Sequence, residues 1–356
     1  MSRNLKFSEA ILEATDQLMS SDSRVHVMGL GAGDPKAVFG TTEGLLAKYG
    51  SDRILEMPTS ENGMTGVAIG AAICGMRPIL IHQRVDFALL SLDQIINNAA
   101  KWDYMFASSM SVPLVIRMIL GRGWGQGPQH SQAFYSLFGH IPGLQVVAPA
   151  TAYDAKGLLI AASRGKHPVI YFEHRWLHHT YSNVPVEMYE TPLGKARRVQ
   201  EGRDVTVVAI GHQVVEAIRA LRQIEGMGVS VELLDLCSIR PLDRESILES
   251  VGKTGRLLVL EEDWKTLGVA SEILASVAEE AWGNLKAPPA RLCLPDQYCG
   301  TSPALSKTYY PTHQHIAQAI LRLMGKSLDP RLQLERMMQP SLVAHDVPDR
   351  NFTGPF

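Results

Sequence analysis

Glu61 lies in the run Met57-Pro-Thr-Ser-Glu61-Asn-Gly63, which leads without another charge into Gly66-Val-Ala-Ile-Gly-Ala-Ala-Ile-Cys-Gly75. A carboxyl at the mouth of an apolar helix is either solvated on a loop or buried with a partner that holds its proton, because burial raises a carboxyl pKa. The buried arrangement is the one that does acid–base chemistry. His130 stands at the far end of a glycine-rich loop, Gly121-Arg-Gly-Trp-Gly-Gln-Gly-Pro-Gln-His130, where an imidazole can give or take a proton near neutral pH, or can be a plain surface residue. Two other constellations promise less. Gly29-Leu-Gly-Ala-Gly33 follows a strand, but its G-x-G-x-G spacing, with Asp-Pro next and no helix start, reads as a loop and not as a dinucleotide fingerprint. His174, His178 and His179 lack an acid or cysteine at metal-ligand spacing, so a solvated connection is expected there and no metal.

The elements that must position these groups follow from periodicity. Phe7, Ala10, Ile11, Ala14 and Leu18 predict an amphipathic first helix, and Arg24–Met28 a short strand. The Glu61 run predicts a helix packed on both sides, Arg77–His82 a strand, Gln83–Phe87 its exit and Leu89–Lys101 one helix. Val112–Met118, Leu144–Ala148 and His167–Glu173 are near-continuous apolar strands of the parallel, doubly covered kind, with a helix Ala152–Ser163 capped by Thr151. After a polar connection over 174–203 the pattern restarts. Strands begin at 204, 230, 256 and 290, helices lie near 213–225, 243–252 and 268–283, and a last helix covers about 312–324. The expected fold class is α/β with two doubly wound domains, 1–186 and 187–326, and a tail over 327–356 that gains order only against another surface.

With 356 residues there is room for two cores, and the formal net charge of −2 offers no basic field for nucleic acid. The four cysteines form no CxxC pair, which suits a reducing compartment. The acidic, helical N-terminus does not read as a leader, and no apolar run reaches transmembrane length. A soluble, cytoplasmic protein that works on small molecules and with protein partners is expected.

The ordered series MPTSENGMTGVAIGAA, RPI, Phe87 with LDQIINNAAK, GPQHSQ, HIPGLQVVAPATAYDAKGLL, SIRPLDRESI and LVLEEDWKTLGVASEI closely resembles the beta subunit of thiamine-diphosphate-dependent 2-oxo acid dehydrogenases, within the transketolase superfamily. The resemblance spans residues 5–325 and includes pyruvate, branched-chain and acetoin types. It implies a pyrimidine-binding transketolase-like domain followed by a transketolase C-terminal-like domain. It also implies that Glu61 shares a proton with the aminopyrimidine of the cofactor, that Phe87 stacks on that ring, and that His130 faces the reacting carbon. The superfamily's Gly-Asp-Gly motif with its following Asn, which holds Mg²⁺ on the diphosphate, is missing from this sequence. The resemblance therefore implies an alpha subunit that supplies that half, an α2β2 heterotetramer, and transfer of the acyl fragment to a lipoyl-bearing acyltransferase core.

Departures from the family pattern cluster in His82-Gln-Arg84-Val-Asp86 and in Arg122 and Trp124. Either His82, Arg84, Arg122 and Trp124 form a polar pocket for a carboxylated, hydroxylated or phosphorylated substrate, or Arg84 pairs with Asp86 and His82 is a satisfied core histidine. The departures leave room for a split transketolase-like or carboligating enzyme with a small-molecule acceptor. Two rivals from other classes are a non-catalytic assembly subunit and a nicotinamide-dependent oxidoreductase built on Gly29–Gly33.

Overall fold

The computed structural model describes residues 2–34, 38–122, 126–306 and 308–327. Trp124 and the tail beyond Ser327 lie outside these residues. In chain order the strands are β1 (Ser2–Lys6), β2 (Val25–Gly29), β3 (Ile54–Glu56), β4 (Arg77–His82), β5 (Val115–Leu120), β6 (Gln145–Val147), β7 (Val169–His174), β8 (Tyr181–Pro185), β9 (Arg197–Gln200), β10 (Val205–Ala209), β11 (Val231–Asp235), β12 (Ser238–Arg240), β13 (Leu257–Trp264) and β14 (Ala290–Leu294). The α-helices are α1 (Phe7–Ser21), α2 (Leu45–Tyr49), α3 (Glu61–Ile73), α4 (Val85–Ala88), α5 (Ala100–Met105), α6 (Tyr135–Gly139), α7 (Ala152–Arg164), α8 (His212–Gln223), α9 (Arg244–Thr254), α10 (Val269–Glu280), α11 (Pro303–Ser306) and α12 (His313–Leu323).

The described residues form two compact units, the first made of residues 2–34, 38–121, 132–194 and 238–241, the second of 122, 126–131, 195–237, 242–306 and 308–327. In the first unit a seven-stranded sheet runs β12-β6-β7-β5-β4-β2-β3. All its pairs are parallel except β12 with β6. Because β2 lies between β3 and β4, the chain changes side there, and the crevice outside the carboxyl ends of β2 and β4 is where such sheets take ligands. Every residue of β5 and β7 is buried, as the unbroken apolar strands predict. The Thr151 hydroxyl accepts from the Asp154 backbone N–H and so caps α7.

In β5 and β7 an arginine and a glutamate break the apolar rule, and they meet. Arg117 of β5 and Glu173 of β7 are both fully buried and form an ion pair through Nε and Oε1, with a second bond from Nη2 to Oε2 at 3.0 Å. Arg117 Nη2 also donates to the Thr41 hydroxyl at 2.8 Å. Burial alone would raise the Glu173 carboxyl, but the Arg117 charge and hydrogen bonds from His178 and Arg117 hold it at about 2. The stretch that follows β7 is correspondingly not solvated, contrary to the expectation for the histidine cluster. Residues 174–178 are buried because the His178 ring stacks on Phe7 at 5.9 Å and reaches Glu173 at 3.4 Å, while Arg175 covers the Phe39 ring at 4.5 Å. Part of the expected polar connection is also ordered as β8, which pairs antiparallel with β1.

The second unit has a five-stranded sheet, β14-β13-β10-β11-β9, parallel except for β9. Strand β13 carries three consecutive buried acids, Glu261, Glu262 and Asp263. Glu261 Oε1 accepts from the Ala270 N–H at the start of α10, 3.2 Å away, and from the Cys293 thiol at 3.5 Å. Gly268 makes this seat possible, since a Cβ there would stand 2.1 Å from Glu261 Oε1. Burial, and then the charge of Asp263, push the Glu261 carboxyl up to about 7.

Truncating Glu173 to Ala strands the Arg117 guanidinium in a dry interior and should cost about 3–5 kcal/mol in denaturant unfolding at pH 7. Because the folded pKa of Glu173 lies below its ordinary 4.5, its contribution is complete above pH 4.5 and fades as pH falls towards 2, so the penalty of the substitution should shrink under acid. Glu261 has the opposite sign. Its folded pKa is raised, so its contribution is complete below pH 4.5 and declines as pH rises to 7. Unfolding free energy should therefore fall by about 3 kcal/mol from this group between pH 5 and 8. In Glu261→Gln that part of the slope should vanish, and an unchanged slope would show that the group ionises normally in the fold.

Candidate active site

Glu61 is the first residue of α3, and its side chain is part-exposed at the helix start. The small residues that follow let α3 lie close against β4 and the segments after it. Thr65, Ala68, Ile69 and Ala72 are buried, and a Cβ on Gly66 would stand 3.4 Å from the Gln94 side chain. The expected burial on both sides is not what this chain alone provides, for Val67 is 53% exposed and Gly70 is open. The expected single helix over 89–101 is also divided. It comprises a 3₁₀ turn at Leu89–Ser91, a π-helical turn at Gln94–Ala99, and α5. Such wide turns inside helices recur at functional sites, and this one packs against α3.

Strand β4 delivers the next candidates. His82, its last residue, is buried, and its Nε2 lies 3.3 Å from the Thr65 hydroxyl. Desolvation lowers its pKa to about 4, so the ring is neutral at working pH. Arg84 precedes α4 and is also buried; desolvation lowers its pKa, and the Asp86 charge opposes that shift. Asp86 accepts from Gln132 Nε2 at 2.6 Å. Phe87, one residue further along α4, is 37% exposed and so presents an aromatic ring at the surface of this unit.

The glycine loop after β2 is already filled by the protein's own carboxylate. Gly31 and Gly33 donate their N–H groups to Glu56 Oε1 and Oε2 at 2.6 and 3.0 Å. Gln83 Nε2 donates to the Leu30 carbonyl at 2.9 Å and sits against Gly31, which has φ +80° and whose Cβ would approach it to 3.1 Å. Amides that would cradle a pyrophosphate are thus committed to Glu56, which removes the basis for a nicotinamide site there.

In the second unit, His130 closes a 3₁₀ turn, Pro128–His130, behind Gly127, whose φ of +63° sets the turn. Arg122 is buried, with Nη1 3.0 Å from Glu262 Oε1, and its guanidinium lies 4.1 Å from the Tyr310 ring centroid. His212 Nδ1 reaches the other Glu262 oxygen at 3.2 Å. The Arg122 charge is therefore balanced inside its own unit.

The structure thus links Glu61, Thr65 and His82, and places Arg84 and Phe87 just after the end of β4. Thr65 and Glu56 were not singled out from sequence. A Thr four residues after the acid on a helix, and an acid at a strand end near a glycine loop, were the available signals. A carboxyl at a helix start and an exposed aromatic ring are the proton-holding and stacking groups that the aminopyrimidine half of thiamine diphosphate would need. The glycine loop does not offer a diphosphate cradle.

Comparison with known proteins identifies the family of both domains. The family model "Transketolase, pyrimidine binding domain" matches residues 3–179, and "Transketolase, C-terminal domain" matches 194–316. The chain is 43% identical to the beta subunit of acetoin:2,6-dichlorophenolindophenol oxidoreductase of Cupriavidus necator, over 91% of this chain and 98% of that one. It is 38% identical to the Bacillus subtilis counterpart, over 92% and 99%. With the mitochondrial pyruvate dehydrogenase E1 component subunit beta of Pisum sativum the identity is 39%, over 92% of each. A solved "split gene transketolase, inactive beta4 tetramer" has the same fold, with a TM-score of 0.72 at 24% identity, covering 91% of this chain and 99% of that one. The chain belongs to the two-domain, transketolase-like family of beta subunits that includes those of the acetoin oxidoreductases and of the pyruvate dehydrogenase E1 component.

Proposed function

We propose that this protein is the beta subunit of a thiamine-diphosphate-dependent, decarboxylating 2-oxo acid dehydrogenase, active only with an alpha subunit. The observation that carries this is the 43% identity to an oxidoreductase beta subunit across 98% of that chain. When bound, thiamine diphosphate supplies the electron sink that lets a 2-oxo acid lose carbon dioxide. In this reading Glu61 holds and returns the proton at the ring nitrogen of the aminopyrimidine, and the Phe87 ring orients that pyrimidine by stacking. His130 gives or takes a proton at the substrate oxygen. Mg²⁺ and the diphosphate belong to the alpha subunit, which agrees with the commitment of the Gly31 and Gly33 amides to Glu56.

Support for a partner comes from the surface of the first unit. Val67 beside the Glu61 turn, Leu90 after α4 and Tyr104 of α5 are 53%, 66% and 90% exposed, with Met105 and Phe106 open as well. Apolar exposure of this kind marks an interaction face. We assign the partner as the alpha subunit of an α2β2 heterotetramer in the cytoplasm, and the acceptor as a lipoyl-bearing acyltransferase core. Among the described residues no helix is long and apolar enough to cross a membrane.

The test is reconstitution. The chain, its co-purifying alpha subunit, thiamine diphosphate and Mg²⁺ are assayed for carbon dioxide release from a panel of 2-oxo acids and for oxidation of acetoin, with a lipoyl domain or an aldehyde as acceptor. Turnover should require both chains. Release of carbon dioxide with transfer only to the aldehyde would replace the dehydrogenase with a carboligase. In the complex, Glu61→Gln should lower kcat by about 100-fold or more. Undiminished turnover would remove Glu61 from the mechanism. Phe87→Ala should raise the cofactor concentration needed for half-maximal activity by up to about tenfold, the worth of one aromatic stack. Cofactor titration reads this directly.

A further inference from the structure

Helix α3 starts without the usual support. Its N-cap residue, Ser60, makes no side-chain capping bond, so the turn that carries Glu61 lacks the hydroxyl-to-amide contact that commonly fixes a helix start. A different tie is present. The Thr65 hydroxyl donates to the Glu61 carbonyl oxygen at 2.7 Å, and the same hydroxyl oxygen lies 3.3 Å from His82 Nε2 at the carboxyl end of β4. Both side chains are buried, Thr65 completely and His82 to 2% exposure.

Proton counting gives this contact a direction. A hydroxyl has one hydrogen, and that of Thr65 is used on the Glu61 carbonyl, so His82 Nε2 must be the donor. The neutral ring then keeps its lone pair on Nδ1, a buried atom with no hydrogen-bond partner among the described residues. A buried acceptor left unmade is a cost that an apolar ring of similar size would avoid. Stability does not account for a histidine here; fixed geometry does. The Thr65 side chain has two accessible rotamers in a helix; its own bond to the Glu61 carbonyl favours the one that reaches back, and the contact from His82 Nε2 adds a second bond in that same rotamer.

We propose that His82 and Thr65 are positioning residues for Glu61, a relay of two hydrogen bonds from the sheet that sets the first turn of α3 and thereby the aim of its carboxyl. This rests on the reading of Glu61 as the cofactor-facing acid. It assigns His82 a task within the protein, in place of contact with substrate.

The experiment uses the full chain assembled with its alpha subunit. His82→Phe, Thr65→Val and the double variant are compared, each with Glu61 intact and with Glu61→Gln. Each single variant should lower kcat about tenfold with the KM for the 2-oxo acid unchanged, and the double should be no worse than either, as expected when two groups act as one unit. Thr65→Ser, which keeps the hydroxyl, should retain most of the activity. In the Glu61→Gln background the same changes should cost nothing further. Penalties that add, or that persist once Glu61 is gone, would reduce the pair to ordinary packing and overturn the proposal while leaving Glu61 in place. Full turnover in Glu61→Gln alone would overturn the reading of Glu61 and this proposal with it. Nitrogen-15 spectra of the histidine-labelled chain give a readout apart from activity. His82 should be the Nε2–H tautomer, and Thr65→Val should weaken that preference. An Nδ1–H tautomer in the unsubstituted protein would also overturn the relay.

Discussion

The buried pair of Arg117 and Glu173 joins β5 to β7 inside a sheet whose neighbouring positions are buried and mostly apolar. Two charges in such a place are tolerable only if each satisfies the other, and here Thr41 and His178 take up further bonding capacity. The consequence reaches beyond stability. A polar pair can be made in one register only, whereas apolar strands can slide, so the pair defines which carboxyl ends stand level. The exits of β4 and β7, from which His82, Arg84, His174 and Arg175 depart, inherit that alignment.

Much of this architecture could be read before any coordinates. The parallel strands announce themselves by unbroken Val, Ile and Leu, and β4 and β14 run between the residues the sequence indicates. Thr151 and Asp154 form the expected cap because the capping bond is local and depends on residue type alone. What failed was non-local. The histidines after β7 look hydrophilic in one dimension, yet Phe7 and Phe39, far away in sequence, enclose His178. The division of the segment after Leu89 into 3₁₀, π and α turns was equally hidden, since periodicity reports a helix and not its pitch.

For the site the boundary is similar. Glu61 stands out in sequence because a single acid before an uncharged helix is unusual. Its dependence on Thr65 and His82 could not be seen, because residues 65 and 82 meet only once β4 lies beside α3. The glycine loop shows the complementary case. Its spacing already argued against a dinucleotide, and the structure supplies the reason in the carboxylate of Glu56, which satisfies the two loop amides. A motif that resembles an anion site can be closed by an anion of the protein's own making.

The open side of α3 sets a condition on how the chain must be made. Val67 and Gly70 face outward on the helix that begins with Glu61, near other uncovered apolar side chains. Surface of this type adheres to whatever is at hand when its proper cover is missing. In the proposed assembly, chains made in excess of the partner would keep this surface open, so balanced supply of the two components would limit its non-specific adhesion.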